Sequence, residues 1–377
     1  MDTVRITIKM RAKLTPKNSP FVSFGYSKNG FRQAWLNGKE YYTEYGLYFP
    51  TVSYMERPNG KKGSGFSYDL RIEFSAPKIV FGDNLHEITE DDYSKLRTTL
   101  LSRLHLMGFD FISPEDINNA TVSRLDVCKN VIFSSRAAMI MVINALKKAN
   151  LGGEFTPFEK SYLGGGYAIG FSLKNEEISV YDKGEDLRRA RKSKSKARDE
   201  DAFFEGGIKG EWKNGSVLRI EVKMNNAGTI RRRLKSVGLE VSSESITLSS
   251  IFKGNIWKLL LNNRFRQIYA KIPIVELDGE SVEQTFLSII KEEQGKRGGF
   301  RRSLERLGTH ALLEYSNLSV AEIEGIIESS FGRSNKYKFH KARAAPIDGQ
   351  QLKSLIMLRR AVEDFKPLTE ADISVLS

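Results

Sequence analysis

The sequence predicts an α+β fold: a central, mostly antiparallel sheet flanked by helices, followed by a helical C-terminal domain. Three observations predict it. Several short segments in the first two-thirds of the chain alternate apolar and polar residues, as half-buried strands do. Glycine- and asparagine-containing turns or amphipathic helical stretches separate them. From about residue 252 the alternation gives way to long helical patterns.

Residues 4–10 alternate as a strand, and residues 21–54, aromatic-rich and broken by Lys-Asn-Gly and Asn-Gly-Lys, read as a set of hairpins. Residues 57–65 are polar and glycine-rich, the composition of an exposed loop. Residues 68–81 return to strand character, with Pro77 marking a bend or edge. A helix is predicted over 90–107, with Leu96, Leu100, Leu104 and Met107 at helical spacing and Gly108 as its stop. A strand over 122–133 and a helix over 135–149 follow. Residues 167–173 and 177–181 then form paired strands around a Lys-Asn-Glu turn. Residues 217–224 are a further strand, and 229–237 a basic helix ended by Gly238. Helical patterns cover 282–293, 300–315, 320–329 and 348–365, and the expected division is an α+β domain over 1–250 and a helical domain over 251–377. Leu-Arg-Ile-Glu occurs twice, at 70–73 and 218–221, which suggests two similar strands.

The chain carries 59 Lys and Arg against 46 Asp and Glu, a formal charge of +13 over 377 residues. Such an excess on a folded protein points to a polyanionic partner, of which nucleic acid is the commonest. A membrane partner is disfavoured: no apolar run approaches the ~20 residues of a spanning helix, and the N-terminus carries no signal-peptide core. The single cysteine, Cys128, rules out an internal disulfide and a zinc knuckle, so a reducing cytoplasm, that of a bacterial host, is the expected setting.

Three predicted strands place a carboxylate within an apolar alternation. In Ser-Arg-Leu-Asp-Val, Arg124 and Asp126 share a face; in Leu-Arg-Ile-Glu-Val-Lys, Arg219, Glu221 and Lys223 do; and Arg71 and Glu73 repeat the pattern. A carboxylate in a core strand is costly unless paired or bound to a metal. Two on neighbouring strands suit a hard cation such as Mg2+ or Mn2+. The structural alternative is an ion pair with the arginine two residues earlier, the expectation for Glu73.

The sharpest element is Ile-Ser-Val-Tyr-Asp-Lys-Gly-Glu, in which an apolar strand delivers Tyr181 to its end with Asp182, Lys183 and Glu185 just behind. A tyrosine hydroxyl, with an ordinary pKa of about 10, is a poor nucleophile at neutral pH. A neighbouring lysine or metal favours the phenolate and steadies charge on an attacked phosphate. Such a tyrosine can attack a phosphodiester, remain on the 5′ phosphate and release a 3′ hydroxyl. The structural alternative is a strand-end tyrosine with its hydroxyl in solvent. A basic run follows, including Arg188, Arg189, Arg191 and Lys192, suited to a phosphate backbone or to a solvated loop. Arg231, Arg232 and Arg233 form a second basic cluster near Glu221. In the tail, 304–315 and 320–329 read as helix, turn, helix, flanked by a basic-aromatic stretch with Lys336 and Lys338, compatible with a DNA reader.

Four motifs in this order, Leu-Arg-Ile-Glu-Phe-Ser-Ala-Pro-Lys-Ile-Val-Phe-Gly-Asp-Asn (70–84), Val-Ser-Arg-Leu-Asp-Val-Cys-Lys-Asn (122–130), Val-Tyr-Asp-Lys-Gly-Glu (180–185) and Leu-Arg-Ile-Glu-Val (218–222), resemble a known group. They are similar to the replication initiators of filamentous phages, of the gene II protein type, and to the related plasmid replication-initiation-factor family, over roughly 65–240. The resemblance implies a rolling-circle initiator that nicks origin DNA, forms a 5′-phosphotyrosine and later rejoins the displaced strand. It makes Tyr181 the nucleophile, Asp126 and Glu221 the ligands of Mg2+ or Mn2+, and Lys183 and Glu185 supporting catalytic residues. Host helicase and polymerase are implied as partners, since no nucleotide-binding loop is present. His86, His105, His310 and His340 include no His-hydrophobic-His pair of the kind by which many nicking enzymes hold their metal, which fits this branch. The alternatives are a non-catalytic origin binder or repressor, and an RNA-binding protein. Tyr162 or Tyr167 is a candidate second tyrosine for strand closure; oligomeric state is open.

Overall fold

The structure is a computed structural model that describes residues 1–26, 31–58, 65–147, 156–158, 168–192, 216–239, 246–253, 256–270, 291, 294–296, 301–302, 320–331, 333–335 and 349–368. The strands are β1 (Thr3–Met10), β2 (Gly25–Tyr26), β3 (Arg32–Leu36), β4 (Thr51–Pro58), β5 (Phe66–Ser75), β6 (Thr121–Phe133), β7 (Thr156–Phe158), β8 (Ala168–Leu173), β9 (Glu176–Asp182) and β10 (Ser216–Met224). They form one sheet in the order β2-β3-β4-β5-β1-β6-β10-β9-β8-β7. Every pairing in it is antiparallel.

Alternation does the sorting. Val4, Ile6 and Ile8 of β1, Leu70, Ile72 and Phe74 of β5, Leu125 and Val127 of β6, and Leu218, Ile220 and Val222 of β10 all enter one buried core. The intervening side chains form an opposite, polar face. Helices cover the apolar face: α3 (Tyr93–Leu106) through Leu96, Leu100 and Leu104, α5 (Arg136–Lys147) through Met139, Val142 and Ile143, and α7 (Ala227–Ser236) through Ile230 and Leu234. Short α4 (Pro114–Asn119) and α8 (Leu248–Phe252) each begin in a capping box, on Ser113 and on Thr247, and bury Ile117, Ile251 and Phe252. The described residues of the C-terminal part are largely helical. Of its helices, α9 (Ile256–Tyr269) packs on β6 and β10, and α11 (Gly349–Asp364) packs on α5, α9 and β6; both feed the same core. A further helix, α10, spans Val320–Phe331. The predicted helices over 282–293 and 300–315 lie almost wholly outside the described residues.

Two expectations are corrected. The Asn-Gly-Lys read as a hairpin turn opens a helix, α1 (Gly38–Tyr45). Asn37 Oδ1 accepts from the Lys39 amide at 3.1 Å, and Gly38 is there because a Cβ would collide with the Phe49 carbonyl. Pro77 does not bend a strand: β5 stops at Ser75 and Pro77 sits in the first turn of α2 (Ala76–Phe81), where its missing amide costs nothing. The repeated Leu-Arg-Ile-Glu falls on β5 and β10, which flank the central β1–β6 pair on either side.

Candidate active site on the polar sheet face

Register builds the site. Tyr181 lies opposite Arg219 and Ser179 opposite Glu221; Arg219 lies opposite Asn130, Glu221 opposite Cys128 and Lys223 opposite Asp126. Odd-numbered residues of β9 and β10 and even-numbered residues of β6 therefore share the polar face, and distant segments place Tyr181, Glu221 and Asp126 on it together. Asp126 and Glu221 are diagonal neighbours across the β6–β10 ladder, close enough for their charges to interact.

Tyr181 is buried, not solvated at a strand end, and its hydroxyl donates to Glu221 Oε2 at 3.4 Å. Lys223 Nζ lies 3.6 Å from the same carboxylate. Burial, then the Glu221 charge, pushes the Tyr181 phenol well above its ordinary value, with Arg219 opposing. Burial also raises Glu221, against the pull of Lys223. Asp126 is 1% exposed, and burial raises its carboxyl to about 7; the Arg124 hydrogen bond opposes this and Glu221 reinforces it.

Asp126 makes the ion pair with the arginine two residues before it. Arg124 grips it in a fork, Nε to Oδ1 at 3.1 Å and Nη2 to Oδ2 at 2.6 Å. Its remaining nitrogen, Nη1, reaches Glu73 at 2.9 Å. Glu73 pairs across strands with Arg5 and Arg124, a structural pair as expected of it, although not with Arg71. A β-bulge makes this possible: Arg5 faces Arg124 but Ile6 faces Val122, so β6 holds one extra residue beside the site.

The other sequence-derived candidates take separate positions. Lys183 is buried, its Nζ 2.7 Å from Asp186 Oδ2 and 6.0 Å from the Tyr181 ring centre. Glu185 lies in the first turn of α6 (Lys183–Lys192), 3.7 Å from Arg136 Nη2. Asp182 opens that helix by accepting from the Glu185 amide at 3.0 Å. Arg188, Arg189, Arg191 and Lys192 fall on α6, and the positions of their side chains lie outside the described residues. On α7, Arg232 is exposed, Arg231 is half-buried, and Arg233 pairs with buried Glu176 at 2.7 Å. Lys336, Lys338, Tyr162 and Tyr167 lie outside the described residues. His86 pairs with Asp83 at 2.6 Å, and His105 Nε2 contacts the Ile112 carbonyl at 3.1 Å.

Sequence reading missed Asp2 and Asn130. Arg219, 1% exposed, donates to Asn130 Oδ1 at 2.8 Å and to the Asn84 carbonyl, and lies 3.5 Å from Asp2 Oδ2. Burial pushes the Asp2 carboxyl up, but Arg219 and Lys183 outweigh it and hold it below the usual range. The signal for Asn130 was present in the 122–130 motif; Asp2, at the head of β1, has none.

The donor set fits a divalent cation in part. Two interacting carboxylates plus phosphate oxygens suffice for Mg2+, and the raised carboxyls of Asp126 and Glu221 are what a cation relieves. Among the described residues no three His, Cys, Asp or Glu side chains form a cluster that could hold a metal alone, and Arg124 would have to release Asp126.

The fold and site define an α+β protein with a tyrosine and acidic side chains on the polar face of an antiparallel sheet. The chain belongs to the phage replication-associated protein family of the gene II type, whose N-terminal model matches residues 29–244. It is thus a rolling-circle replication initiator that binds origin DNA. No curated protein and no solved structure matches the chain. Among the described residues no helix is long and apolar enough to cross a membrane.

Proposed function

We propose that this initiator nicks one strand of its origin through Tyr181 and rejoins it. The observation that carries the reading is the Tyr181 hydroxyl on Glu221 Oε2 at 3.4 Å, inside a buried, highly charged sheet face. The phenol is held protonated, so attack needs a base, and Glu221 is in line to take the proton. Tyr181 Oη bonds to phosphorus, the bond to the 3′ oxygen breaks, and that oxygen leaves as a hydroxyl with a proton from solvent. The phosphotyrosine conserves the phosphodiester for rejoining. Arg219 and Lys183 supply positive charge beside the phosphate. Asp126 and Glu221 would hold Mg2+ or Mn2+, and the bound ion would supply Lewis-acid polarisation of the phosphate. Glu185, which faces Arg136, orients the start of α6 behind the tyrosine. Host helicase and polymerase would then unwind and copy the strand in the bacterial cytoplasm.

The bidentate Arg124–Asp126 pair favours a second reading, an origin binder that keeps the charges without the chemistry. Incubation with single-stranded origin oligonucleotides and Mn2+, read by mass, separates the two. The nickase gives a protein–DNA adduct on Tyr181 that is lost with Tyr181→Phe and on chelation. Binding with no adduct from any origin substrate would establish the second reading.

A further inference from the structure

The polar face has two halves. At β6, β10 and β9 the residues around Tyr181, namely Asp126, Asn130, Ser179, Arg219 and Glu221, are buried, and Lys223 and Glu177 are half-buried. Across β3, β4, β5 and β1 they are half-buried or exposed, apart from Ser75 at the end of β5. This open half holds Arg5, Lys9, Arg57 and Arg71, with Arg124 of β6 at its border, against two carboxylates, Asp69 and Glu73. One row across it runs Trp35, Ser53, Arg71, Thr7 in direct register. Trp35 is 60% exposed, a large ring lying open on a polar face. In the same row the Arg71 Nε is shut off from solvent and hydrogen-bonds to nothing among the described residues. The adjacent row, Thr51, Glu73, Arg5, Arg124, ends on the arginine that grips Asp126. The open half thus runs without a break into the catalytic cluster.

We propose that this open half-face is the track for single-stranded DNA entering the site, with Trp35 as a base-stacking platform and Arg71 as a phosphate contact. The inference rests on the nicking function proposed above. An exposed aromatic beside a run of cations is the combination that holds a single strand without reading its sequence, because every base has a face to stack and every phosphate a charge. A protein partner would be met by an apolar surround, whereas the positions beside Trp35 on this face are Gln33, Ser53, Thr51 and Met55, three of the four polar. Six inter-strand steps separate β3 from β9 in the sheet order. At ~4.8 Å each this is about 29 Å, or about eight nucleotides at a stacked rise of ~3.4 Å.

The test measures oligonucleotide binding by fluorescence anisotropy in the Tyr181→Phe chain, so that covalent capture does not contribute. Trp35→Ala should weaken binding of a 16-nucleotide strand about tenfold, the stacking of one base, and Trp35→Phe should restore it to within about threefold. Four-nucleotide strands spanning only the cleavage site should not distinguish the variants. Arg71→Gln should flatten the dependence of log affinity on log salt by about 0.7. If Trp35→Ala binds the long strand as tightly as its Tyr181→Phe parent, while the chain that keeps Tyr181 still forms an adduct, the track is overturned and the nicking function stands. Unchanged DNA binding with lost self-association would overturn it in favour of a protein interface. If the Tyr181→Phe parent binds no single strand and the chain that keeps Tyr181 forms no adduct, both inferences fall together.

Discussion

Tyr181 sits where ionisation is opposed, by burial and by the Glu221 carboxylate, and the same carboxylate accepts its hydrogen bond. Nothing local in the sequence announces that partnership: 40 residues separate the two, and only the β9–β10 register joins them. What the sequence did display was the face-sharing of Arg124 with Asp126, and of Arg219 with Glu221 and Lys223, because alternation fixes which side chains lie together. Asp126 gives a test at this scale. Its folded carboxyl is raised to about 7 from an ordinary 3.8, so the native state holds this proton more tightly than the unfolded chain. The stability so gained is complete below about pH 4 and is lost as pH rises through about 7. Metal-free protein should therefore lose on the order of 3 kcal/mol from this group between pH 4 and 8. Asp126→Asn should show a flatter dependence of Tm on pH over that range. At pH 8 Mg2+ should raise the Tm of the parent and leave the variant unmoved. Parallel Tm profiles for the two proteins would remove Asp126 from this account.

At the scale of elements, the strands and the longer helices were legible because period 2 and period 3.6 are written into the chain. The failures have physical causes. Gly38 resembled turn chemistry, yet close approach to the Phe49 carbonyl requires it. Asp182 and Glu185 start a helix, a signal masked by the basic residues behind them. The cluster Arg231, Arg232 and Arg233 looked uniform, but position on α7 divides it. Arg233 turns inward, and with Arg264 of α9, 2.5 Å from Oε1, it neutralises Glu176, whose side chain is fully buried. This triad ties α7, α9 and β9 together. Removing Arg233 leaves Glu176 paired with Arg264 but strips the partner from its other buried oxygen, at a cost of about 1–3 kcal/mol. Arg233→Ala should accordingly lower the urea midpoint sharply, while Arg232→Ala, at an exposed position, should leave the midpoint unchanged and weaken DNA binding. Equal midpoints for the two variants would contradict the division.

At the scale of the whole molecule, the excess of 13 positive charges pointed to a nucleic acid partner before any fold was known. The strand order was not legible, since pairing between segments far apart is set by global packing. The place of the C-terminal helices was hidden for the same reason. Trp257, Leu260, Leu261, Phe265 and Ile268 of α9 are all buried, as are Leu355, Leu358 and Val362 of α11, and they lie in the core beneath the sheet. The two helices are linked, Lys258 Nζ to the Asp364 carbonyl at 3.1 Å and Arg266 to Glu363 at 3.2 Å. The chain then returns to the sheet: the Leu368 amide donates at 3.1 Å to Glu87, which also accepts from Lys129 of β6 at 2.8 Å. Burying each large apolar side chain is worth ~2 kcal/mol, so α9 alone contributes on the order of 10 kcal/mol. That is comparable to the entire stability of an ordinary domain, about 5–15 kcal/mol. A chain cut after residue 250 should therefore keep strand content but lose cooperative unfolding and bind a hydrophobic dye, whereas one ending at residue 368 should melt in a single sharp transition. Calorimetry of the two truncations decides the matter: a sharp, dye-free transition for 1–250 would mean that the sheet carries a sufficient core without these helices.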